Sequence, residues 1–325
     1  MMRQANQAYL KWLFVCASVI LVTSTALGSS GLIFPWQHDQ ALSIWFNLRL
    51  PRMANGILVG GLLAVAGLVM QNVVRNPLAD PYLFGSAAGA ALAVLLLLII
   101  LPAVQVDSWF AQFSITSAAF AGALLTLLIL VSLSTSRLGN DTSTLVLIGV
   151  ALASLLGALL QLLTIWANEP ALRGIYFWMM GAVPDSRPSA WLAVATALVM
   201  SWVWYERKSL DAVVFGAALA RNFGVDYRSV STRLLALASL ATALAVSQAG
   251  AIAFVGLAAP HIARRICGGR AQVLIPASIC VGCVIVTLAD AIGRFVIAPQ
   301  TIPVGVLTTF IGTPILFHLL RARRL

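Results

Sequence analysis

Charge is what this chain has least of. Only 9% of its 325 residues are Asp, Glu, Lys or Arg, while 61% are hydrophobic. An ordinary soluble domain carries roughly 25% charged residues. A soluble fold of this length could not keep so much apolar surface from water. Histidine is nearly as scarce, at three, and the four cysteines (Cys16, Cys267, Cys280, Cys283) lack metal-ligand spacing. Cys280 and Cys283 lie three apart in one apolar run and read as small packing residues, so neither a metal site nor a cofactor is expected. A Gly-x-x-x-x-Gly-Lys-Ser/Thr phosphate loop is missing, so the chain has no such nucleotide site of its own. Paired carboxylates within an apolar run, a histidine cluster, and a nucleophile with a base beside it are all missing too. An enzyme embedded in a membrane would need such a set, and the chain is expected not to be an enzyme.

What is present is a series of long apolar runs. No charge falls between Lys11 and Asp39, Arg52 and Arg75, Asp80 and Asp107, Asp107 and Arg137, or Asp141 and Glu169. The same holds between Arg187 and Glu206, Arg233 and Arg264, Arg270 and Asp290, and Arg294 and Arg321. A membrane-crossing helix needs about 20 mostly apolar residues and satisfies its own backbone. The run from Arg233 to Arg264 breaks near Gln248-Ala249-Gly250 and holds two short spans. The expectation is an all-α integral membrane protein with ten spans, at 10–28, 53–73, 83–101, 113–133, 143–166, 190–205, 230–248, 251–265, 272–292 and 303–320. Nine is the rival count. The first apolar run lacks a small-x-small cleavage site and reads as a retained helix rather than a leader.

The net charge is +10. In a soluble chain this would suggest nucleic acid, but no basic patch is interleaved with aromatics. The positive-inside rule explains the excess instead. With the N-terminus inside, Arg49, Arg52, Arg173, Arg187 and Arg294 fall outside, leaving fifteen of the 20 Lys and Arg inside. Nine spans would put the C-terminal Arg-Ala-Arg-Arg outside, which favours ten, with both termini cytoplasmic and lipid around the spans. The longest inside loop, 206–229, mixes charge with small residues and could hold a short helix that approaches another protein. The outside segment Leu172–Gly181 is rich in aromatics and Met, too short to span, and suits a half-buried helix. Spans 2–5 and 7–10 hint at an inverted repeat, with a second break between Gly250 and Pro260.

Several of these pieces, in this order and spacing, resemble a known family. They are Leu48–Arg52, Gly67–Gln71, Arg75-Asn-Pro-Leu-Ala-Asp-Pro81, Phe84-Gly85, Leu147–Leu152 and Phe177–Gly181. They continue with Gly250–Leu257, Pro260-His261, Leu288–Asp290, Arg294, Pro303–Gly305 and Gly312–Pro314. The resemblance is to permease subunits of the type II ATP-binding-cassette importers for iron chelates and cobalamin, and it covers nearly the whole chain. It implies one transmembrane permease domain over 1–325, in a bacterial inner membrane, with ten helices per subunit. It further implies a homodimer with the path at its interface, two separate ATPase subunits inside and a periplasmic substrate-binding protein outside.

The resemblance also assigns residues. Arg49, Arg52 and Arg294 would receive carboxylates of the binding protein, a task suited to the planar guanidinium fork. Arg294 also follows Asp290 by four residues, which would spend part of its charge on a local pair. Asn76 and Leu78 match one cytoplasmic gate element, and Thr142, Ser143 and Leu147 match the second. Thr142 and Ser143 would serve equally as helix caps. Gly216, Ala217, Leu219, Ala220 and Gly224 match the helix that couples to the ATPase. His261 near the inside surface reads as structural. The substrate would be a ferric siderophore, haem or cobalamin. A secondary transporter driven by an ion gradient is the alternative. Asp290 is the one acid expected well inside a span, whereas such carriers place several there.

Overall fold

A computed structural model describes residues 2–28, 31–32, 34–36, 39–101, 109–135, 142–217 and 226–322. They are almost entirely helical. Helix α1 (Met2–Ala26) leads into a two-residue hairpin, β1 (Leu27–Gly28) against β2 (Gly31–Leu32). Helix α2 (Asp39–Ile44) runs through a π-helical turn, Trp45–Arg49, straight into α3 (Leu50–Val73). Then follow a 3-10 turn (Pro81–Phe84), α4 (Ser86–Ile100), α5 (Trp109–Thr135) and α6 (Thr142–Thr164). After them come α7 (Glu169–Met179), α8 (Ala190–Tyr205) and α9 (Arg207–Val213). The last four are α10 (Tyr227–Ala249), α11 (Val255–Cys267), α12 (Ala271–Val296) and α13 (Val304–Ala322).

Helix α3 is apolar all round, as a core helix must be, and every residue from Val59 to Val74 is buried. It packs on α12, α10 and α11. Glycines allow the approach: a Cβ on Gly60 would lie 2.4 Å from the Gly282 carbonyl oxygen, and one on Gly67 only 1.8 Å from that of Gly256. Small residues are the usual device for tight helix contact where lipid removes the hydrophobic drive. At the other extreme, 11% of the apolar stretch of α6 is buried, against 78% for that of α3. Between the halves the first helix of each packs on the third of the other: α3 on α12, and α10 on α5.

Each of the ten expected spans falls on one helix. Six described helices are long and apolar enough to cross a membrane, and α4, α8 and the start of α13 are shorter apolar ones. Two spans begin several residues ahead of their α-helix. Span 83–101 begins with the 3-10 turn, and its α-helix starts only at Ser86. Span 251–265 begins non-helical, and α11 starts at Val255. The segment expected at Leu172–Gly181 lies mostly in the amphipathic helix α7, which begins at Glu169, ends at Met179 and buries Ala171 and Ile175.

Candidate functional site

One end of the molecule, the end that the charge count expects outside, gathers three arginines. The π-helical turn carries Arg49 beneath the end of α1, whose last carbonyls have no partner within their own helix. The buried Arg49 guanidinium donates to the carbonyls of Thr25 (2.8 Å) and Ala26 (2.6 Å), and to that of Gly31 at 3.4 Å. A cation is also favoured at a helix C-terminus. One turn on, Arg52 binds the Asp290 carboxylate through Nε (3.0 Å to both oxygens) and Nη2 (2.9 Å). Arg294 Nε donates to the same carboxylate at 3.0 Å. Two cations thus hold one anion, and Arg49 lines the same small cavity with Ser24, Thr25 and Thr287. The structure brings the three expected arginines together, and it spends much of their capacity inside the chain.

A second cluster surrounds the break between α10 and α11. Residues 250–254 are not helical, so their backbone groups need partners. The Tyr82 hydroxyl accepts from Ile252 N–H at 3.2 Å and lies 3.5 Å from the Gly250 carbonyl. Gln71 Nε2 donates to the carbonyls of Gly256 and Leu257, both at 3.2 Å. Asp80 accepts from Tyr82 N–H at 2.8 Å and from Phe254 N–H. Burial pushes the Asp80 carboxyl up to about 6, with those two N–H donors pulling the other way. Phe254 holds φ at +69°, a conformation a non-glycine residue keeps only when its surroundings enforce it. Its ring lies against Gly312 of α13. Beside this segment an open apolar groove of about 670 Å³ runs between Met179, Met180, Ala251, Ala253, Val306 and Phe310, with Thr309 and Thr313 as its hydroxyls.

The residues expected to form the gate lie around the turn after α3 and the start of α6. Asn76 closes a tight turn, accepting from Leu78 N–H at 3.0 Å, and both are half-buried. The 3-10 turn that follows touches α6: a Cβ on Gly149 would lie 2.4 Å from the Phe84 ring. Leu147, two residues earlier, is exposed. Thr142 and Ser143 begin α6, and their side chains lie outside the described set. Gly216 has φ +81° and lies under the guanidinium of Arg75, while Ala217 is exposed. Leu219, Ala220 and Gly224 lie outside the described residues.

Asp290 lies within α12, and two acids outside the expected spans, Asp80 and Glu206, are buried as well. They are not within charge-free runs, yet the turn after α3 folds back and α9 packs on α3, α10 and α12. The sequence reading gave no role to Gln71, Tyr82 or Asp211. The available signal was Asp80-Pro81-Tyr82, a turn sequence directly ahead of an apolar run. The buried cysteines pack as expected, Cys283 Sγ lying 3.2 Å from the Ile57 carbonyl. Among the described residues no cluster of three or more His, Cys, Asp or Glu could hold a metal.

Comparison with known proteins adds the following. The profile of the FecCD transport family matches residues 10–322. The hemin transport system permease protein of Yersinia pestis is 33% identical over 322 residues, covering 97% of this chain and 96% of that one. The vitamin B12 import system permease protein of Vibrio cholerae is 32% identical over 310 residues, covering 95% and 91%. Among solved structures, an inward-facing metal-chelate type ABC transporter superposes with a TM-score of 0.85 at 27% identity, over 96% of this chain and 98% of that one.

Proposed function

The chain belongs to the FecCD transport family, and from that premise we propose that it is the permease subunit of a binding-protein-dependent ABC importer for a bulky metal chelate. The observation that carries this reading is the near-complete superposition on a metal-chelate type ABC transporter. In this reading the protein is a homodimer in a bacterial inner membrane. Two separate ATPase subunits bind on the inside, a substrate-binding protein docks on the outside, and both termini lie inside. The substrate class is ferric siderophore, haem or cobalamin. Relatives named for hemin and for vitamin B12 are about equally similar, so the chemistry they share, a large metal-bearing macrocycle or chelate, is the better description.

The parts then have roles. Arg49, Arg52 and Arg294 provide more positive charge than Asp290 neutralises, a surface that attracts carboxylates of the binding protein. The apolar groove along α13 forms one wall of the path, and its sparse polarity suits a large ligand that must not be held tightly. Asn76 and Leu78, with Thr142, Ser143 and Leu147, form the inner gate; the contact of Phe84 with Gly149 supports their moving together. The segment from Gly216 to Gly224 couples to the ATPase.

One observation favours the rival, an ion-gradient carrier. Asp80 is a buried carboxyl held by backbone N–H groups, and proton-coupled carriers use such groups. The two readings separate in proteoliposomes. Uptake that needs ATP on the ATPase side and survives a protonophore supports the importer. Uptake by the chain alone that collapses with the proton gradient refutes it.

A further inference from the structure

The first backbone amide of α12 is capped from a distant part of the chain. Ala271 N–H donates to Asp211 Oδ1 of α9 at 2.8 Å, across 60 residues of sequence. No side chain of the adjoining turn caps α12 itself. Within the helix, Pro276 has no N–H to offer the Gln272 carbonyl four residues earlier, so the first turn has one backbone bond fewer to the next. The bond from Asp211 therefore supplies what the helix cannot. A carboxylate at this end is also favoured by the helix dipole.

Helix α9 is itself firmly placed. Leu210 and Val213 are fully buried, in the same core as Ala271 and Leu274. Glu206, just ahead of it, pairs with Arg233 of α10 at 3.5 Å. Gly216, just after it, carries the Arg75 guanidinium from the end of α3. Helix α12 then runs 26 residues, about 39 Å at the usual rise, and its far end carries Asp290 and Arg294 in the arginine cluster. One helix thus has an end capped by α9, which leads into the proposed coupling segment, and an ion-paired end in the arginine cluster.

We propose that Asp211 is a positioning residue: its cap on α12 makes that helix the strut connecting the ATPase-coupling segment to the Asp290–Arg52–Arg294 cluster. This rests on the reading of the chain as an ABC importer permease. Coupling between the two ends is reciprocal in free energy, so the strut passes binding-protein docking inward and ATPase state outward.

The test uses the full complex with its co-purified ATPase in lipid nanodiscs. The quantity read is ATPase stimulation by the substrate-loaded binding protein, relative to each complex's own rate without it. Asp211→Ala removes the acceptor. Ala271→Pro removes the donor at the first helical position, where proline is well tolerated, and Arg270 already has the extended backbone (φ −71°, ψ 128°) that precedes a proline. Asp211→Asn keeps an acceptor oxygen and is also a good cap. The expected result is at least a fivefold loss of stimulation in Asp211→Ala and in Ala271→Pro, with Asp211→Asn within twofold of the unaltered protein. Stimulation of an assembled Asp211→Ala complex at the unaltered level overturns the proposal. So does an Asp211→Asn as impaired as Asp211→Ala. If Asp211→Ala fails to assemble, Ala271→Pro decides by the same ratio. If the unaltered chain brings down no ATPase, the importer reading itself has failed, and that outcome is visible before any variant is made.

Discussion

Replacing Asp290 with Ala leaves Arg52 and Arg294 without their shared carboxylate. The pair of Arg52 with Asp290 is 20% and 6% exposed, and that of Arg294 with Asp290 is 13% and 6% exposed, so water replaces little of what is lost. Removing one partner of a buried pair typically costs about 3–5 kcal/mol. With Arg52 keeping a fifth of its surface, the lower end applies, about 3 kcal/mol. Replacing the whole ionic group by apolar residues of similar volume is often neutral. The variant Arg52→Met/Asp290→Leu/Arg294→Met should therefore be more stable than Asp290→Ala alone, although it changes three residues. The assay is thermal unfolding in nanodiscs at roughly 0.1 M and 1 M salt, where the screening length falls from about 10 Å to about 3 Å. Asp290→Ala should unfold well below the unaltered protein and regain part of the loss at high salt. A single variant as stable as the unaltered chain, or a triple variant worse than the single one, would refute the reasoning.

Three further perturbations follow from the same contacts. Gly67→Ala would put a methyl group 1.8 Å from a carbonyl oxygen of α11, whereas at Gly157 a Cβ meets nothing within 4 Å. The first should lower the unfolding temperature by an amount equivalent to about 1–3 kcal/mol, the second raise it by up to about 1 kcal/mol, and equal effects would contradict the packing. Tyr82→Phe leaves the Ile252 N–H without its acceptor and should cost about 1–3 kcal/mol, measured as earlier unfolding without loss of assembly. Gly216→Ala strains a left-handed residue and crowds Arg75. It should reduce ATP-driven uptake in proteoliposomes, and unchanged uptake would remove Gly216 from the coupling segment.

Span positions were readable because composition decides them. A run without charge long enough to cross a bilayer has few alternatives, and Gly250 marked the break between α10 and α11. The side-chain environment was not readable. The charge count located Arg49, Arg52 and Arg294 at one end, but the Arg52 to Asp290 pair spans 238 residues, which no local pattern encodes. The burial of Arg49 depends on a π-helical turn that rotates it beneath α1, and one inserted residue in the helical register leaves no compositional trace. The i, i+4 spacing did expose the Asp290–Arg294 pair, because that contact is local. Asp80 lay in the Arg75–Pro81 motif and Tyr82 just after it, but nothing local tied them to the break, since only the fold brings residues 80–82 to residues 250–254.

That meeting of two irregular segments explains the short helices on either side. Backbone outside a helix survives among membrane spans only where protein groups satisfy it. Residues 74–85 are closed mainly by their own local bonds, and two of their side chains serve the break: the Tyr82 hydroxyl accepts from Ile252 N–H and Asp80 accepts from Phe254 N–H, while Gln71 of α3 serves the Gly256 and Leu257 carbonyls just beyond it. The contact of Gly67 with Gly256 then fixes how near the two segments can come. Helices α4 and α11 can afford to be 15 and 13 residues long because each starts from this shared centre rather than from water. Tyr82 and Asp80 lie a few residues beyond the Asn76–Leu78 turn, and Phe254 rests on Gly312 of α13 beside the apolar groove. A shift of the turn after α3 must therefore break or carry the bonds at 250–254, and through Phe254 reach the wall of the groove.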